Sequence, residues 1–234
     1  MQARPPATIA PSPLLSRLFA HDVIAVETRQ PIGAELLLPE EAPYVARAAP
    51  KRVADFAAGR ACAREALAQL GIRDFVLHVG ADREPLWPPQ AVGSITHTAG
   101  FCGVVVASRE RVAALGIDAE ERYAVRRELW PGICTNAEQQ WLAGLPPERA
   151  VEAATAIFCA KEAFFKCQYP LTRQWLNFED VHVKLERGAG FALIEPQRML
   201  QLSAWQPPPW PARFAQAAAL TVAGCSIFPV QRLP

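Results

Sequence analysis

Apolar residues between Val53 and Leu70 recur at steps of three and four. The stripe is Val53, Phe56, Ala63, Leu67 and Leu70, with Arg60 standing in the same row. That spacing is one face of an α-helix, predicted from Pro50 to Leu70 and ended by Gly71. A second stripe, Val151, Thr155, Phe158, Glu162 and Phe165, predicts a helix from Glu148 to Gln168, stopped at Tyr169-Pro170. Short apolar or alternating runs predict strands at 21–28, 75–79 and 218–228. Two hairpins are predicted as well. One joins 102–108 to 111–118 around Ser108–Arg111, and the other spans 181–195 and turns at Gly188-Ala189-Gly190. Residues 81–90 read as a Pro-rich loop, 93–100 as a polar loop bounded by glycine, and 1–20 as an irregular lead-in.

The pattern echoes itself. Each predicted helix is followed by a similar run, DFVLHV after the first and DVHVKL after the second. Phe56-x-Ala58-Gly59-Arg60 likewise parallels Phe158-x-Ala160-Lys161-Glu162. Two similar α+β halves are the expectation, divided as 1–112 and 113–234.

Composition narrows the function classes. A chain of 234 residues, 51% hydrophobic, fills one large or two small cores. A net charge of +1 gives no global field toward nucleic acid or a membrane surface, so any functional charge is local. The six cysteines form no CxxC pair and the four histidines are scattered, which argues against zinc. No apolar run approaches the ~20 residues of a membrane span, and the N-terminal residues lack a signal-peptide apolar region. The expectation is a soluble, cytoplasmic, monomeric protein with reduced thiols.

Against that background three carboxylates stand out. Asp118 and Glu120 follow the apolar run 112–117 two residues apart, and so on one side of a strand. Glu162 interrupts an apolar helical stripe. Taken singly, the first two fit a solvated hairpin end, and Glu162 fits a helix-edge pair with Lys166. Together they fit one shared cation, because an uncompensated carboxylate facing a core costs several kcal/mol. Oxygen ligands without nearby His or Cys favour Mg²⁺, which usually keeps waters and takes substrate phosphates. Basic residues agree with a phosphate-bearing ligand: Lys51, Arg52, Arg60 and Arg64 on the first helix, Lys161 and Lys166 beside Glu162. His97 lies between Thr96 and Thr98, whose hydroxyls suit phosphate oxygens.

These segments resemble the 4'-phosphopantetheinyl transferases of the single-chain type. The matching motifs are Lys51-Arg52-x-x-x-Phe56-x-Ala58-Gly59-Arg60, then Pro85-x-Trp87-Pro88 leading to Gly93-Ser94-Ile95-Thr96-His97-Thr98. They continue with Gly116-Ile117-Asp118-x-Glu120 and Phe158-x-Ala160-Lys161-Glu162-Ala163-x-x-Lys166, in order and across roughly residues 45–170. Thr96 stands where the family usually has Ser, and Pro88-Pro89-Gln90 replaces a more usual Gly.

The resemblance implies transfer of the phosphopantetheine arm of coenzyme A to a carrier-protein serine, with release of adenosine 3',5'-bisphosphate. It implies a fold of two similar halves related by a pseudo-twofold, each a small, mostly antiparallel sheet packed with a long helix. It assigns Asp118, Glu120 and Glu162 to Mg²⁺, Glu162 to the serine proton and Lys166 to the leaving phosphate. Arg60, His97, Thr96, Arg52, Lys161 and Lys166 would hold coenzyme A. The basic run 121–130, with Arg122, Tyr123, Arg126 and Arg127, suits an acidic apo carrier protein or equally a solvated helix face. A Mg²⁺-dependent nucleotide pyrophosphate hydrolase and a coenzyme A binding module without chemistry are the competing readings.

Overall fold

In a computed structural model of the chain, residues 8–19, 22–186, 190–202, 205, 207–217 and 219–229 are described. The first sheet has four antiparallel strands: β1 (Ala10–Pro11), β2 (Ile24–Thr28), β3 (Ala91–Thr98) and β4 (Phe101–Ser108), in the order β1-β2-β4-β3. Helix α1 (Pro50–Gln69) covers one face of it. Its inward positions are small, among them Ala57, Ala61, Cys62 and Ala66, and they meet Val26, Val104 and Val106. Small side chains let helix and sheet approach closely, which brings the polar residues of α1 near the edge strand β3.

The second sheet holds β5 (Ala114–Glu121), β6 (Val181–Glu186), β7 (Phe191–Pro196), β8 (Trp210–Ala217) and β9 (Leu220–Ile227). Its order is β5-β9-β8-β7-β6, antiparallel throughout. Before β6 the chain forms α2 (Trp130–Ile133), α3 (Asn136–Ala143) and α4 (Pro147–Thr172). Helix α4 lies across the sheet, its Phe164 ring stacked on Trp210 at 5.0 Å. A third apolar cluster joins the outer faces of both sheets through Val105 and Ala107 of β4, Leu115 and Ile117 of β5, and Val222 of β9. Side chains alternate along a strand, so Val104 faces α1 while Val105 faces the second sheet. The result is helix, sheet, sheet, helix. Among the described residues, no helix is long and apolar enough to cross a membrane.

The α+β class and both long helices match the expectation; several connections differ. Residues 102–108 and 111–118 are not a hairpin: β4 pairs with β2 and β3, β5 pairs with β9, and the turn between them carries the chain from one sheet to the other. Residues 93–98 are strand β3 rather than a loop, their hydroxyl-bearing positions alternating with positions that face α1. Residues 75–79 form no strand and contribute a single bridge, Val79 to Pro85. Helix α4 runs past Tyr169-Pro170 to Thr172 and ends at Arg173 with φ 55°. A proline so near the end forfeits little of the backbone ladder. The predicted turn residues Gly188 and Ala189, and His21 of the first predicted strand, lie outside the described residues.

Candidate active site

Strands β3 and β5 are edges of different sheets, yet they lie side by side. Hydroxyl groups join them. Ser94 Oγ accepts from the Ile117 amide at 3.1 Å, and Thr96 Oγ1 accepts from the Ala119 amide at 3.0 Å. Thr96 Oγ1 also donates to Asp118 Oδ1 at 3.3 Å, and Thr98 Oγ1 donates to Glu120 Oε2 at 3.3 Å. Thr96 therefore turns to β5. His97, the next residue, takes the opposite side and opens onto the cleft beside α1.

Helix α4 crosses β5 at Gly116. A Cβ added there would stand 1.8 Å from the Ala163 carbonyl oxygen, so only glycine admits the helix at this distance. The close crossing brings Lys166 Nζ to 2.7 Å from Asp118 Oδ1 and 3.1 Å from the Ile117 carbonyl. The Lys166 partner is thus Asp118, not the Glu162 one turn back that helical spacing suggests. Burial works against the Lys166 charge, but Asp118, with Glu162 and Cys159 adding to it, raises the pKa. Glu120 and Glu162 both bind protons more tightly than ordinary carboxylates, chiefly through burial, with Asp118 adding to each. Glu120 adds to Glu162, and Lys166 opposes. The three carboxylates therefore feel one another's charge. Beneath them the Cys159 thiol is pushed far up by burial and by Asp118 and Glu120, which leaves it an inert thiol.

Lys161 is elsewhere. Its ammonium donates to Glu138 Oε2 at 2.7 Å, to the Phe178 carbonyl at 2.8 Å and to the Ile133 carbonyl at 2.9 Å. Its three donors are satisfied, and its side chain is only 2% exposed. Glu138 also accepts from the Thr135 and Val183 amides. Lys161 thus fastens α4 to α3 and to the segment that leads into β6. Glu138 went unread in the sequence, although Thr135-Asn136-Ala137-Glu138 carries the capping-box signature that the structure realises.

A cleft of about 730 Å³ opens between α1, β3 and the C-terminal end of α4, lined by Arg52, Asp55, Arg60, His97, Lys166 and Trp87 among others. Arg60 is 5% exposed, lies over the Phe56 ring at 4.2 Å, and its Nε has no hydrogen-bond partner among the described residues. Burial pushes its pKa down to about 10, Glu41 opposing. A buried guanidinium with an open donor at a cleft wall suits an anionic oxygen. Arg64 is not available for that task, since it pairs with the buried Glu41 at 2.7 Å and reaches the Leu36 carbonyl. Partial burial lowers the His97 pKa, Asp55 opposes, and Arg52 and Lys166 add to the lowering. A second cavity of about 720 Å³ lies on the other side, bordered by Glu162, Lys161 and Thr135. Phe165 and Trp175 border both; Glu162 borders the second, and Lys166, paired with Asp118, borders the first. The basic run after β5 is partly folded back: Arg122 pairs with Glu152 at 2.7 Å, and Tyr123 donates to Glu148 and Glu152.

The donor set fits a hard divalent cation. Asp118 Oδ2 is buried and accepts no hydrogen bond among the described residues, and Glu120 and Glu162 add like charge beside it. Among those residues no three His, Cys, Asp or Glu side chains stand together as a group that could hold a metal ion by themselves. Mg²⁺ requires less, since it binds through one or two carboxylates plus waters and substrate phosphate oxygens.

Comparison with known proteins places the chain. The profile of the 4'-phosphopantetheinyl transferase N-terminal domain matches residues 40–107, and that of the 4'-phosphopantetheinyl transferase superfamily matches residues 114–222. The 4'-phosphopantetheinyl transferase PptT of Mycobacterium tuberculosis is 43% identical over 149 residues, 64% of this chain and 65% of the relative. The match thus spans a little under two thirds of that relative's length. The transferase Npt of Nocardia iowensis is 36% identical over 178 residues, covering 71% of this chain and 79% of the relative. Enterobactin synthase component D of Escherichia coli is 39% identical over 118 residues, half of this chain and 54% of the relative. On these matches the chain belongs to the 4'-phosphopantetheinyl transferase superfamily.

Proposed function

We propose that the protein transfers the 4'-phosphopantetheine arm of coenzyme A to a serine of an apo carrier protein, in a Mg²⁺-dependent reaction that releases adenosine 3',5'-bisphosphate. The observation that carries this reading is the juxtaposition of Asp118, Glu120, Glu162 and Lys166 with a cleft whose wall holds the buried, open-donor Arg60. The division into halves at 112/113, cytoplasmic location and monomeric state belong to the same proposal.

Arg60 and His97, with Arg52 at the rim, bind and orient the phosphates of coenzyme A. An anion there favours a protonated His97. Asp118, Glu120 and Glu162 would hold Mg²⁺, which neutralises charge on the attacked phosphate and on the leaving group. Glu162 accepts the serine proton, directly or through water, as the serine oxygen attacks the phosphorus of the pantetheine-bearing phosphate. The bond from that phosphorus to the bridging oxygen breaks. Lys166 stands beside Asp118 to steady the charge that leaves with adenosine 3',5'-bisphosphate.

Intact-mass measurement of an apo carrier protein, incubated with the protein, coenzyme A and Mg²⁺, tests this. A gain of one phosphopantetheine arm that disappears with chelator is expected. Rapid release of the bisphosphate from coenzyme A without any carrier would instead identify a hydrolase, and binding with neither product would identify a binding module.

A further inference from the structure

The hydroxyls between β3 and β5 are out of place by burial alone. Ser94 and Thr96 are 4% and 2% exposed, positions where a strand ordinarily carries Val or Ile. Neighbouring buried positions follow that rule, with Val92 on the same face of β3 and Val104 to Val106 across the ladder. A buried hydroxyl costs free energy unless it is hydrogen-bonded. Here each one is, Ser94 to the Ile117 amide and Thr96 to the Ala119 amide and Asp118, and the half-buried Thr98 adds a bond to Glu120.

We infer that Ser94, Thr96 and Thr98 form a hydroxyl ladder that sets the register of β5 against β3 and fixes the aim of the Asp118 and Glu120 carboxylates, with Thr96 as the central positioning residue. This rests on the functional reading above, because the carboxylates are its object. A backbone ladder between the two edges would satisfy the amides and leave the carboxylates free to rotate. A hydroxyl does both jobs at one atom. Thr96 Oγ1 takes the Ala119 amide and gives its own proton to Asp118 Oδ1. With Lys166 on the same oxygen, Asp118 has one oxygen held from two sides, and Oδ2 has no hydrogen-bond partner among the described residues. The ladder thereby separates two tasks along β3: Thr96 and Thr98 aim acidic groups, and His97 between them faces the cleft.

The test is a pair of calorimetric titrations without carrier protein, so that no turnover occurs. MgCl₂ is titrated into protein saturated with coenzyme A, and coenzyme A into protein with chelator. Thr96→Val keeps the shape and removes donor and acceptor, whereas Thr96→Ser keeps both. The inference expects Thr96→Val to weaken Mg²⁺ binding roughly tenfold or more, as loss of an outer-shell partner does. Coenzyme A affinity in chelator should stay unchanged, and Thr96→Ser should restore Mg²⁺ binding. Weakened coenzyme A binding with unchanged Mg²⁺ binding would make Thr96 a phosphate ligand and overturn the inference. Wild-type Mg²⁺ affinity in Thr96→Val would overturn it equally. If the wild-type protein binds no Mg²⁺, the functional reading itself fails, which is a separate outcome. Should Thr96→Val not fold, Thr98→Val at the strand end carries the same two titrations against Glu120, with the same outcomes deciding.

Discussion

At the residue scale, Glu162 is the most informative position. Its pKa is raised in the folded protein by burial and by Asp118 and Glu120. The folded state then holds more protons than the unfolded state between the ordinary carboxylate value of 4.5 and the raised one. Stability contributed by the protonated form is full below the ordinary value and is lost as pH rises through the raised one. Glu162→Gln removes that loss. The metal-free variant is expected to melt at or above the wild-type temperature at neutral pH, with the difference vanishing in acid, while transfer falls by about 10²–10⁴-fold. Thermal melts across pH, paired with transfer rates, check both halves. Lys161, its neighbour, should behave oppositely. Lys161→Met leaves Glu138 buried and unpaired, at a cost of about 3–5 kcal/mol in denaturant unfolding, with the Michaelis constant for coenzyme A unchanged in the folded fraction. Arg60→Ala should raise that constant roughly 10- to 100-fold, the range of charge-assisted hydrogen bonds worth about 1.5–3 kcal/mol. Asp118, Glu162 and Arg60 were legible in the sequence because each breaks or ends an apolar pattern. The partners of Thr96 and Lys161 were not, since periodicity reports which side of an element a residue occupies and nothing about what lies 20 or more residues away.

At the element scale, the crossing of α4 over β5 sets the site. Gly116→Ala would place a methyl 1.8 Å from the Ala163 carbonyl oxygen. Backbone cannot rotate aside as a flexible side chain can, so α4 must move, carrying Glu162 and Lys166 with it. The expected outcome is destabilisation of at least about 1–3 kcal/mol together with loss of transfer, read from unfolding and activity of the same sample. A variant with full stability and full activity would show that the crossing is not this tight. The long helices were readable because a helix satisfies its backbone within itself. The strand partners were not. Val104, Val105 and Val106 are all buried, so β4 shows no polar face from which to choose its neighbour, and the nearby apolar run at 112–117 looked like its hairpin mate. The actual partners of β5 come from β9, more than 100 residues later.

At the scale of the whole molecule, a chain of net charge +1 gathers Arg52, Arg60, His97 and Lys166 along one cleft, and Lys166 links that cleft to Asp118. The end of α4 also meets the segment before β3 through polar groups: Tyr169 donates to Asp82 Oδ2 at 2.8 Å, and Arg173 pairs with Glu84 at 2.6 Å. The central claim is that strand β5 and helix α4 share one divalent ion. It is tested most directly by titrating Mg²⁺ into coenzyme A-saturated protein, wild type and the single variants Asp118→Ala, Glu120→Ala and Glu162→Ala. One ion per chain in the wild type, weakened in all three variants, is the predicted result. Wild-type affinity in Glu162→Ala, or no ion bound at all, would contradict it.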